Sequence, residues 1–180
     1  MTRVLIALTS HSQLGDNGRT TGFYASEAAE PWSVFTAAGF DVDLVSVAGG
    51  RPPIDGLDEN DPIQQKFLAS VDLEHTPAAA DLDASTYDAI FFAGGHGTVW
   101  DFPNDEALAS LAAGIYENGG VVAAVCHGPS ALVNLTLSDP KGCAALGTQS
   151  TAVLTILDDD RPIVSPGRFT IGVTVSGLEG

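Results

Sequence analysis

Gly119-Gly120-Val121-Val122-Ala123-Ala124-Val125-Cys126-His127-Gly128-Pro129 is the stretch that decides the architecture. An unbroken run of small and branched apolar residues suits a strand buried on both faces, as in a parallel sheet. The run ends in turn chemistry, and residues 130–135 then read as a helix. The whole is a strand, a nucleophile-type turn and a helix. Two further runs repeat the pattern, at residues 4–8 and at 89–93, the second leading into Gly94-Gly95-His96-Gly97. A weaker, alternating run covers residues 42–47 and ends at Ala48-Gly49-Gly50.

Helical stretches lie between the runs. Residues 26–38 place Ala28, Ala29, Trp32, Phe35 and Thr36 on one side and stop at Gly39, a suitable residue to end a helix. Residues 104–118 begin with a capping residue and two acids and stop at Gly119-Gly120. Alternating strands and helices predict an α/β fold, doubly wound around a mostly parallel sheet. Residues 51–87 form a longer insertion with a short helix at 62–70. Beyond Asp139 the pattern weakens: residues 144–157 are small and aliphatic, and 169–175 alternate as a final strand. No internal repeat or linker divides the chain, so one domain over 1–180 is expected, its last part (about 140–180) atypical or truncated.

Composition narrows the class. The 180 residues are 44% hydrophobic and 17% charged, which is globular rather than disordered. The net charge of −16, from 23 acids against 7 bases, repels phosphate backbones and anionic lipid heads, so no nucleic acid or membrane partner is expected. No apolar run reaches the roughly 18–20 residues that span a bilayer. The apolar residues after Met1-Thr2-Arg3 are too few for a signal peptide, and a cytoplasmic protein is expected. In that compartment Cys126 and Cys143 have little use for a bridge, and the Asn134-Leu135-Thr136 glycosylation pattern carries no weight.

The chemistry gathers where strands end, which is where open parallel sheets hold their sites. Cys126 on a tight turn, facing a helix N-terminus, would be a thiol with a lowered pKa. Pro129 suits the first helical turn. The alternative is a buried structural cysteine, with His127 a surface imidazole. The glycine turn around Gly94, Gly95 and His96 suits an oxyanion hole, or simply a tight connection. It comes after a middle strand and lacks the full dinucleotide spacing, so NAD is not expected. Glu27 lies among small residues from which a carboxylate could reach inward and move protons beside a thiolate. Otherwise it is a solvated acid favoured by the helix dipole. His11, His75, His96 and His127 show no ligand-type spacing, and no metal site is expected.

Three strings occur in order along the chain: Ala93-Gly94-Gly95-His96-Gly97-Thr98, Trp100-Asp101-Phe102-Pro103, and the cysteine stretch at 119–129. With Glu27-Ala28-Ala29-Glu30-Pro31 and Gly49-Gly50-Arg51-Pro52-Pro53 upstream, the sequence resembles the DJ-1/PfpI superfamily, and within it the Hsp31-like branch, from residue 3 to about 139. The resemblance implies a flavodoxin-like three-layer sandwich, similar to class I glutamine amidotransferases. It also implies a stress-response lyase of the glyoxalase III (D-lactate dehydratase) type, turning methylglyoxal into lactate without glutathione. Cys126 would be the nucleophile, His127 its triad neighbour, and Glu27 the acid/base. Gly95 and the His127 amide would bind the oxyanion, and Glu179 would stand as the acid that orients the histidine. The resemblance implies no cofactor, a small 2-oxoaldehyde substrate and a homodimer. It leaves open a non-catalytic chaperone or thiol redox sensor, a protein deglycase, or a PfpI-type peptidase.

Overall fold

The computed structural model describes residues 1–133. The expectations for Cys143, Glu179 and the stretches at 144–157 and 169–175 lie outside these residues. Four strands form a sheet: β1 (Arg3–Leu8), β3 (Asp41–Ser46), β5 (Ala89–Phe92) and β6 (Val121–Ala124), in the order β3-β1-β5-β6. Every pairing in it is parallel. Two-residue strands β2 (Phe23–Tyr24) and β4 (Ile54–Asp55) pair separately, Phe23 opposite Ile54.

The period-two alternation of a strand sorts its side chains onto two faces, and both faces here are covered. Leu5 and Ala7 of β1, Val45 of β3, and Ile90 and Phe92 of β5 form one core with Leu108, Leu111, Ala112 and Ile115 of α4 (Glu106–Glu117). On the other face, Ile6, Leu8 and Leu44 meet Ala28, Ala29 and Trp32 of α1 (Ala25–Ala37) and Phe67 of α2 (Pro62–Ser70). Trp32 and Phe67 meet edge to face, ring centroids 5.7 Å apart. The result is a three-layer α/β sandwich with a parallel sheet. No helix among the described residues is long and apolar enough to cross a membrane.

Helix ends obey local chemistry. Asp61 caps α2, accepting from the Ile63 and Gln64 amides, with Pro62 at the first helical position. The cap of α4 is Asp105, one residue beyond the expected start, because Asn104 is taken up in a 3-10 turn, Phe102–Asn104. Short α3 (Thr98–Asp101) comes after β5, and α5 (Ser130–Val133) after β6. The chain winds from β1 to β3 on one side and then returns to β5 on the other. In sheets of this kind ligands bind beside such a reversal, at the carboxyl ends of the strands.

Candidate active site

Cys126 lies just past β6 with φ 54°, and it is the one non-glycine residue in the left-handed region among those described. Such a conformation costs an L-residue roughly 1–2 kcal/mol, so the surrounding contacts hold it in place. The turn closes through Gly128 N–H donating to the Val125 carbonyl at 2.7 Å. Gly128 must lack a side chain, since a Cβ there would stand 2.4 Å from the Phe92 carbonyl oxygen.

Around the sulfur the structure gathers groups from three elements. His127 Nδ1 lies 3.1 Å from Cys126 Sγ. The Glu27 carboxyl, from the first turn of α1, hydrogen-bonds to the Cys126 side chain, and the backbone amides of Gly95 and His127 are directed at it. Glu27 Oε2 is buried. Glu27 is brought there by packing: Ala28 and Ala29 are fully buried, and the Tyr24 amide donates to the Gly94 carbonyl at 3.1 Å. His96 places its ring 4.9 Å from that of His127. Six of the residues singled out from the sequence therefore meet at one place: Glu27, Gly94, Gly95, His96, Cys126 and His127. Glu179 lies outside the described residues.

The electrostatics correct one expectation. The Cys126 thiol is pushed up from its ordinary value, first by burial, then by the charge and hydrogen bond of Glu27. The Gly95 and His127 amides oppose that rise without overcoming it. Cys126 is open to solvent as a residue, yet its sulfur is partly desolvated. A carboxylate at hydrogen-bond distance works against the helix end as well. His127 is shifted the other way, downward, by burial and then by His96. Its ring is neutral at pH 7 and free to accept.

Two supports were not legible in the sequence. Thr98, fully buried, donates to the Gly95 carbonyl at 2.9 Å and to the His127 carbonyl at 3.1 Å, tying the glycine turn to the cysteine turn. Asp101 accepts from Thr9 Oγ1 at 2.8 Å and from the Ser10 amide at 2.7 Å, which anchors the loop carrying His96 to the end of β1. The neighbouring Trp100 stacks on His11, 5.0 Å between centroids. Both residues stand in strings that carry the resemblance, at 93–98 and 100–103, but nothing local shows what their side chains hold. Among the described residues, no group of three or more His, Cys, Asp or Glu is arranged to hold a metal ion.

Comparison with known proteins settles the family, because the DJ-1/PfpI family profile matches residues 19–161. The chain belongs to the DJ-1/PfpI family. Among relatives of this DJ-1/PfpI protein, glyoxalase 3 of Candida albicans is 38% identical over 153 residues, covering 78% of this chain and 63% of the relative. A glutathione-independent glyoxalase of Saccharomyces cerevisiae is 36% identical over 144 residues, covering 74% and 61%. The chain thus spans about three fifths of the length of these curated relatives. Crystal structures share its fold, among them two at more than 30% identity. The 24 kDa Rapid Encystment Protein of Francisella tularensis aligns with a TM-score of 0.70 at 38% identity, over 74% of this chain and 62% of that one. Glyoxalase III from Candida albicans aligns with a TM-score of 0.64 at 34% identity, over 72% and 59%.

Proposed function

We propose that this DJ-1/PfpI chain is a cofactor-independent glyoxalase that converts small 2-oxoaldehydes, methylglyoxal among them, into 2-hydroxy acids without glutathione. The observation that carries the reading is the convergence of a thiol, a carboxyl, an imidazole and two backbone amides at the carboxyl ends of β5 and β6. The names of the similar proteins point the same way.

In this reading Cys126 and Glu27 share one proton. Sulfur attacks the aldehyde carbon as that proton passes to the carboxylate, so the nucleophile forms only as it is used. The Gly95 and His127 amides receive the oxyanion of the hemithioacetal. Glu27 passes the proton it took from sulfur to that oxygen and becomes a carboxylate again. With His127 as the second base, it then removes the proton from the former aldehyde carbon and returns one to the neighbouring carbon through an enediol. One carbon is oxidised and its neighbour reduced, so no external redox partner enters. Water hydrolyses the resulting thioester, releasing the hydroxy acid and the thiol.

Slow reaction of Cys126 with peroxide would sink the redox-sensor alternative, since peroxide reacts with thiolate. A cytoplasmic setting and a homodimer belong to the same proposal, and sedimentation would test the dimer. The deciding experiment incubates the protein with methylglyoxal in the absence of glutathione and measures lactate. Lactate should accumulate, and Cys126→Ala should abolish it. No lactate from the intact protein would overturn the reading.

A further inference from the structure

Two asparagines among the described residues are followed by glycine, at Asn17-Gly18 and at Asn118-Gly119, and all four residues are exposed. An Asn-Gly step is chemically weak, because glycine has no side chain to keep its own nitrogen from reaching the asparagine side chain. The fold treats the two steps differently. Asn118-Gly119 ends α4. The Gly119 amide donates to the Tyr116 carbonyl at 2.9 Å and the Gly120 amide to the Ile115 carbonyl at 2.9 Å, the paired bonds of a helix that stops on a left-handed glycine. Asn17-Gly18 stands at the tip of a hairpin closed by the Gln13–Thr20 bridge and by the Leu14 amide donating to the Arg19 carbonyl at 2.9 Å. Among the described residues the Gly18 amide has no hydrogen-bond acceptor, and a Cβ built on Gly18 would meet nothing within 4 Å. Asn17 Oδ1 accepts from the Arg19 amide at 2.9 Å.

We propose that Asn17 is a site of spontaneous modification, deamidating through a succinimide, while the fold protects Asn118. The Gly18 nitrogen gives up its proton and attacks Asn17 Cγ; the bond from Cγ to the amide nitrogen breaks, and ammonia leaves. Water then opens the ring at either carbonyl, giving aspartate or isoaspartate, and no oxidant or reductant takes part. The Arg19 amide donates to the oxygen on which negative charge gathers during the attack. At Asn118 the attacking nitrogen carries a proton that is already engaged, so the end of α4 must open first. Aspartate at position 17 adds one negative charge beside Asp16. Isoaspartate also adds a methylene to the main chain, inside the loop that the Leu14–Arg19 bond closes. The segment so altered continues from His11, which stacks on Trp100.

The test is a time course of the intact protein in warm, mildly alkaline buffer, read by peptide mapping with tandem mass spectrometry. Asn17 should gain the mass of an amide-to-acid exchange, faster as pH rises, and isoaspartyl methyltransferase should label the same peptide. Asn118 should react at least about tenfold more slowly, since two hydrogen bonds of the helix end must open for it. In guanidinium chloride, where both steps lie in unfolded chain, the two rates should converge. Equal rates in the folded protein, or no product at Asn17, would overturn the proposal. A gap that persists undiminished in denaturant would overturn it as well, because sequence neighbours rather than the fold would then set it. No reading in this test depends on turnover, so it stands or falls separately from the glyoxalase assay.

Discussion

The left-handed backbone of Cys126 gives the nucleophile a cost that its neighbours carry. Gly128 closes the turn, Thr98 holds the His127 carbonyl, and the strand behind is paired along Ala89 to Phe92. Removing the side chain down to glycine should release that cost, less the extra freedom glycine gains when unfolded. Cys126→Gly should therefore be more stable than Cys126→Ala by about 1 kcal/mol in urea unfolding; equal stability would mean the turn is not strained. His127 offers a second check. Its pKa is held down by burial and then by His96. Replacing His96 with Ala removes the second cause only, so the His127 pKa rises part of the way. If His127 must be neutral to work, the acid limb of kcat/KM should move to higher pH in His96→Ala. An unmoved limb would show that His127 does not feel its neighbour's charge.

At the scale of elements, the two sides of the site are mounted differently. Cys126 depends on β6, just behind it in the chain, whereas Glu27 depends on α1 being seated by contacts far along the chain. Strand β2 leads directly into α1, and it is held by β4 and by the Phe23 amide donating to the Pro53 carbonyl at 2.9 Å. Two-residue strands carry no periodicity, and their pairing joins residues on either side of α1 and β3, so neither was legible in the sequence. The long helices and the four main strands were, because each carries several turns or residues of consistent patterning. On the other side of the sheet, α4 begins at Asp105, whose carboxylate accepts from the Leu108 amide. Asp105→Ala should cost about 1 kcal/mol of stability in chemical denaturation. Asp105 makes no contact with the cysteine turn among those described, so turnover should stay unchanged, which an assay on the folded variant would check.

For the whole molecule, 23 acids against 7 bases make self-repulsion a general load on the fold. The ion pairs Arg3–Asp43 and Arg51–Glu74 are partly or largely exposed and offset little of it. Raising sodium chloride from low concentration to about 1 M, where the Debye length falls to about 3 Å, should screen that repulsion. Melting should rise by roughly 2–4 °C, equivalent to about 1 kcal/mol for a chain of this size; a Tm that is flat or falls with salt would remove charge as a factor. The parallel α/β sandwich and the position of the cysteine turn were already written in the linear chain. Both are local information: apolar runs long enough to be buried on two faces, and glycines and a proline where the chain must turn. The state of the thiol was not local, and it emerged only once the elements were packed together. A helix end beside Cys126 argued for a lowered pKa, but α1 brings the Glu27 carboxylate to the same sulfur. Burial and that neighbouring charge push the thiol up, against the pull of the two amides.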